Sequence, residues 1–195
     1  DSDTGATLQR FPVPLPSGAE PTSFYAAEPI SNMHVYGLSN GQAQVVQHQF
    51  DISFPVDERV LTPRLAYPLG QQPITVDTEG QPLDLVAVET NTRGVTASAL
   101  AAYTRDGRML LTSVSSRNNL LTGQVQISSV TYELPDLPAT PQQLLLDKSL
   151  RNLFVIDTTG NVHYYDISTP TAARLVQTVD AGNGERITAA AFLVG

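Results

Sequence analysis

The side chains able to do chemistry are few in this sequence. There are three histidines, His34, His48 and His163, and no cysteine. Without cysteine there is no disulfide, no thiolate nucleophile and no Cys-ligated zinc. A transition-metal site needs imidazoles and carboxylates converging on one ion. A hairpin turning at Asn40-Gly41 makes His34 and His48 near neighbours, with their direct cross-strand partners near 47 and 33. A two-histidine site is geometrically open there, but no third ligand is evident. The expectation is no metal and no cofactor, with all three histidines as surface or half-buried imidazoles on strands. "GLSNG", Gly37 to Gly41, matches the G-x-S-x-G nucleophile elbow. That elbow requires a strand, a sharp turn and then a helix. Asn-Gly favours a hairpin, so Ser39 is expected to be a turn residue, and no catalytic residue is assigned. "DAGNGE", Asp180 to Glu185, and "DSDTG" at the start have acid–glycine spacings but lack the full series of oxygen ligands of a calcium loop. They are expected to be turns.

Four of the eleven basic residues fall between Arg93 and Arg117. A hairpin centred on Asp106-Gly107 puts Arg105 and Arg108 together at its turn and Arg93 and Arg117 at its opposite end. These are two small pairs rather than one patch. Each pair could grip a carboxylate or phosphate group, so Arg105, Arg108, Arg93 and Arg117 are the candidate partner or anion contacts. Their commoner fate is salt bridging on an acidic surface.

The net charge is −8, with 41% hydrophobic and 15% charged residues. That is a folded composition. An acidic chain is poorly suited to phosphate backbones, which argues against nucleic acid as a partner, and to anionic membrane surfaces. No apolar run approaches the roughly 18 residues of a membrane span. "FPVPLP", Phe11 to Pro16, reads as a stiff extended lead-in, or else as a ligand for an aromatic groove. The expected organisation is a lead-in over 1–21 and one domain over 22–195.

The elements that must position these residues are short strands. Turn signals recur at Asn40-Gly41, Glu79-Gly80, Asp106-Gly107 and Thr159-Gly160, between runs rich in β-branched and aromatic residues. This predicts an all-β chain. "QAQVVQHQF", 42–50, is the one segment with an alternative helical reading. "VTASALAAYT" from Val95, "PQQLLLD" from Pro141 and "ITAAAFLVG" from Ile187 start at intervals of 46 residues. A four-stranded propeller blade needs roughly 40–50. The expected fold is therefore β-propeller-like, with four-stranded antiparallel blades whose inner strands begin near 95, 141 and 187. Small residues such as Ala97, Ser98 and Ala99 suit a crowded axis. The clearest blade runs "QQLLLD", "NLFVID", "NVHYYDIS", "RLVQTVD". A second, over 22–66, has "MHVYGLSNGQAQVVQHQF" as its central hairpin. "LDLVAVET" is then an outer strand, and the outer strand of the blade from 95 is squeezed into "DLPATP". The count is about three to four blades, as part of a larger propeller.

The runs "VTASALAAYTRDGRMLLTSVSS" and "VTYELPDLPATPQQLLLDKSLRNLFVIDTTGNVHYYDIS" resemble the degenerate WD-type propeller inserted in some bacterial ABC-transporter permeases of the phosphate-uptake type. The resemblance is best over 85–195, and "YYD", Tyr164 to Asp166, stands roughly where the family's Trp-Asp pair falls. It implies a non-catalytic protein-interaction module on the periplasmic face of the inner membrane, joined to the membrane only through flanking segments outside this sequence. It implies as partner a protein, either the solute-binding protein or a partner subunit of the permease. It carries over no transport residue. The alternatives are a propeller hydrolase or lactonase, and a generic scaffold propeller.

Overall fold

The computed structural model describes residues 20–26, 33–39, 43–53, 60–66, 74–91, 97–118, 122, 125–135 and 137–192. These form an all-β structure of three sheets, with one 3-10 turn at Pro170–Ala172. The first sheet is a meander of β1 (Glu20–Ala26), β2 (Met33–Ser39), β3 (Ala43–Ser53) and β4 (Val60–Ala66), with the short β5 (Ile74–Thr75) also on β3. The second is β6 (Leu83–Asn91), β7 (Ala97–Thr104), β8 (Met109–Asn118) and β9 (Val125–Glu133). The third is β10 (Pro141–Leu146), β11 (Asn152–Asp157), β12 (Asn161–Asp166) and β13 (Arg174–Asp180). Every pairing is antiparallel between strands adjacent in sequence, apart from that of β5. Among the described residues no helix is long and apolar enough to cross a membrane.

Alternation along the strands builds two cores, one on each face of the second sheet. On one face Val86, Val88, Leu100, Ala102, Leu110 and Val114 pack with Ile74 and Val76 from the approach to that sheet. On the other, Ala87, Ala99, Ala101 and Leu111 meet Leu144, Leu146, Leu153, Val155 and Tyr165 of the third sheet. Leu153, Val155 and Tyr165 are fully shielded from solvent. Leu153 and Val155 each contribute about 1.5–3 kcal/mol of burial. The first strands of successive sheets lie side by side, β6 touching both β1 and β10.

The turns follow from local chemistry. The β7–β8 and β11–β12 hairpins close at Gly107 (φ 97°) and Gly160 (φ 93°), a backbone region that residues with a Cβ avoid. The segment 42–50, open to a helical reading, is strand from Ala43 onward, paired to β2 from Ser39↔Ala43. The strand preceding Asn40-Gly41 is thus followed by another strand, and the nucleophile-elbow context for Ser39 is absent.

The 46-residue period does not join equivalent strands. β7, which contains most of the run from Val95, is the second strand of its sheet, whereas β10 at Pro141 is a first strand. "LDLVAVET" is the first strand of the second sheet and not an outer one, and "DLPATP" is connection, since β9 supplies the last strand. The alanines that suggested an axis have a different cause. Ala99 and Ala101 are small because the second and third sheets approach closely there. The described part of the run from Ile187 forms no strand. It lies against β10, held by side-chain amides: Gln143 Nε2 donates to Ala190 O at 2.7 Å and Gln143 Oε1 accepts from Ala190 N at 3.0 Å, while Gln142 donates to Ile187 O. Phe192 meets Phe154 edge-on at 5.6 Å. β1 begins at Glu20, inside the segment read as lead-in. "FPVPLP" and the first "DSDTG" lie outside the described residues.

Candidate functional site

The β7–β8 turn brings Arg105 and Arg108 together, as the hairpin reading expects, and both are already partnered. Arg105 Nε donates to Asp84 Oδ1 at 3.2 Å, in an exposed pair. Arg108 is more enclosed. It donates to Asp106 Oδ2 at 3.1 Å, to Glu79 Oε2 at 3.1 Å and to the Thr78 carbonyl at 2.7 Å. Arg108 therefore ties the β7–β8 turn to the Glu79-Gly80 turn. The Thr104 hydroxyl beside Asp106 holds that carboxyl below the usual carboxylate range, with burial opposing and the Arg108 charge assisting. Arg93 lies outside the described residues. Arg117 is on β8, its backbone opposite Gln126.

The histidines separate into two places. His34 and His48 are direct cross-strand partners in the β2–β3 register, one position from the near-neighbour expectation. Among the described residues no three His, Asp or Glu side chains are grouped to hold a metal ion. The "DAGNGE" segment is a turn in which Asp180 Oδ1 accepts from Gly184 N at 3.1 Å.

His163 departs from the surface or half-buried expectation: it is 1% exposed. Its register on β12 places it between Val155 of β11 and Thr178 of β13. His163 Nε2 lies 2.8 Å from Asp157 Oδ2, and Nδ1 lies 2.9 Å from Thr178 Oγ1. Asp157, itself fully buried, organises the β11–β12 turn. Its Oδ1 accepts from Thr159 N at 2.8 Å, Thr159 Oγ1 at 2.7 Å and Asn161 N at 3.0 Å, and its Oδ2 from Asn161 Nδ2 at 3.2 Å. Burial pushes the Asp157 carboxyl up. Hydrogen bonds from Thr159, Asn161 and His163 outweigh that and hold it well below the usual carboxylate range. The sequence shows the signal for this cluster: an Asp three residues before a turn glycine and a His three after it, "DTTGNVH". In the second sheet Thr104 stands three residues before Gly107, and there the Thr104 hydroxyl accepts from Arg108 N at 3.0 Å. The threonine closes that turn with a neutral oxygen and has no histidine behind it.

A hydroxyl, an imidazole and a carboxylate in line can activate a nucleophile. They can equally clamp strands. The Thr178 hydroxyl both donates and accepts, so it satisfies Nδ1 whether the imidazole is neutral or charged. The cluster then joins the outer strand β13 to the β11–β12 turn in either protonation state.

The second and third sheets diverge beyond their shared core, leaving a cleft of about 250 Å³. One wall is Ser113 of β8 with Ser128, Val130 and Tyr132 of β9, and the other is Leu150, Ile167 and Pro170 from connections of the third sheet. Among the described side chains, those that line it are apolar or hydroxyl-bearing. Nothing in the sequence marks this cleft, because its walls come from segments far apart in the chain.

No protein-family model matches the chain, and no curated protein matches it.

Proposed function

We propose that the three sheets are successive blades of a propeller-type domain whose work is docking a protein partner, without catalysis. The side-by-side run of first strands β1, β6 and β10, each opening a sheet, is the observation that carries the blade reading. Blades stacked this way leave turns and last strands outward. The docking reading draws on how the polar groups are used: Arg108 and His163 are spent on internal contacts, and Arg105 stands exposed at a turn. The resemblance to the propeller inserted in phosphate-type permeases adds a setting, the periplasmic side of the inner membrane. The partner there is the solute-binding protein or a permease subunit. Phosphate capture is disfavoured, since both arginines of the turn already face carboxylates and the chain carries −8.

Calorimetric titration with inorganic phosphate to millimolar concentration is expected to give no binding heat. Arg105→Glu in the full-length protein is expected to weaken partner binding without unfolding the domain. Micromolar phosphate binding, or unchanged partner binding, overturns the reading.

The Thr178–His163–Asp157 line favours a second reading, a propeller hydrolase. Thr178 sits in mid-strand, without the turn that sets a nucleophile beside backbone N–H donors for an oxyanion. Hydrolysis of activated esters abolished by Thr178→Val would establish that reading.

A further inference from the structure

We propose that the outer edge of β9, unpaired among the described residues, with the cleft beside it, captures an extended, uncharged peptide strand of a protein partner. This rests on the docking reading and adds to the Arg105 turn a second contact surface, with the partner chemistry it takes.

The last strand of each sheet pairs on one side only among the described residues: β4, β9 and β13. Open edges invite pairing with foreign strands, and proteins block them with proline or charge. β4 carries Pro63 and Arg64 in mid-strand. β13 is bracketed by Arg174 and Asp180, and its Thr178 is tied to His163. β9, "VQISSVTYE", has nine residues, no proline and no charge before Glu133. It is the longest of the three and the one left unguarded.

The two faces of β9 differ. Thr131, on one face, is engaged: its hydroxyl lies 2.9 Å from Thr112 Oγ1 and accepts from Asp77 N. The other face presents Ser128, Val130 and Tyr132 to the cleft, and Val130 is 48% exposed. A strand added to β9 continues the second sheet and places every second side chain over that cleft. The cleft is smaller than the roughly 300–1,000 Å³ usual for small-molecule sites. Its size suits a few side chains of a strand. Its walls are apolar and hydroxylic, so charged side chains at the cleft-facing positions would be desolvated without a partner. The captured segment is therefore proline-free, with apolar or hydroxyl side chains at alternate positions.

The test is selection of random eight-residue peptides displayed on phage against the whole chain. The expected result is enrichment of sequences without proline or central charge. Binding of a selected peptide slows amide exchange along 125–133. N-methylation at alternate residues, which removes donors facing β9, weakens binding at least about tenfold, and methylation of the intervening residues does not. Val130→Lys abolishes binding, as does Ser128→Lys, an exposed position that keeps the test open if the first variant misfolds. Val176→Lys on β13 leaves binding unchanged. No enrichment, or peptides that bind equally well to both β9 variants, overturns the proposal. Peptides that protect another surface overturn the β9 site while leaving docking intact, because Arg105→Glu tests docking on a different turn.

Discussion

Replacing Asp157 by alanine removes the acceptor of five hydrogen bonds, from Thr159 N, Thr159 Oγ1, Asn161 N, Asn161 Nδ2 and His163 Nε2. The loss is unequal across them. Thr159 is exposed, so water replaces the carboxylate for its two donors at little cost. His163 is sealed, and stranding its ring nitrogen costs about 1–3 kcal/mol. Loosening Asn161 adds about 1 kcal/mol. The total is about 3 kcal/mol. Domains have only about 5–15 kcal/mol in all. Urea unfolding followed by fluorescence is the assay. With a slope of about 2 kcal/mol per molar, the midpoint falls by about 1.5 M. Asp157→Asn keeps an oxygen for Thr159 and Asn161 and costs about half as much. The acid limb supplies a second readout. The native carboxyl sits below its unfolded value of about 3.9, so its stabilisation is complete above that pH and is lost as pH falls through the depressed native value. Asp157→Ala should flatten that part of the limb. A change within about 0.5 kcal/mol, with the acid limb intact, refutes the clamp.

Other expectations follow from single contacts. Gly160→Ala imposes a φ of 93° on alanine and drives its Cβ into the Glu185 carbonyl. It should cost about 2–4 kcal/mol and expose the 181–192 tail to protease, which limited proteolysis reads. Gln143→Leu removes both bonds to Ala190, and exchange of the Ala190 amide should accelerate while the urea midpoint falls by the equivalent of about 1–2 kcal/mol. Arg108→Ala should cost about 1–2 kcal/mol, chiefly through the lost bond to the Thr78 carbonyl. Arg105→Ala, an exposed pair, should stay within about 0.5 kcal/mol in the same denaturation series.

The all-β class and the hairpins were legible because turn glycines and β-branched runs are local signals. "NLFVID", "NVHYYDIS" and "RLVQTVD" were readable as consecutive strands for that reason. The assignment of strands to positions within a sheet was not. Alanine at 97–101 has the same appearance whether a strand lines an axis or lies between two closely packed sheets, and only the packing of Ala99 and Ala101 against the third sheet decides it. Proline and aspartate in "DLPATP" disfavour a strand there, and β9 supplies the last strand of the sheet. The spacing places Arg105 and Arg108 at one turn, but their acidic partners Glu79 and Asp84 come from the link between β5 and β6 and from the start of β6, which sequence spacing does not connect to them. His163 departs from the expectation of a surface or half-buried imidazole. Alternation along "NVHYYD" puts it on the inward face with Tyr165, and a buried imidazole requires partners, which Asp157 and Thr178 supply.

The proposed docking function is tested most directly by photo-crosslinking from position 106, beside an intact Arg105, in the full-length protein in its own cells. A photoreactive residue at Asp106 is predicted to give one discrete adduct with a second protein, lost when Arg105→Glu is added. The absence of any protein adduct there, together with ester hydrolysis that disappears in Thr178→Val, would contradict it.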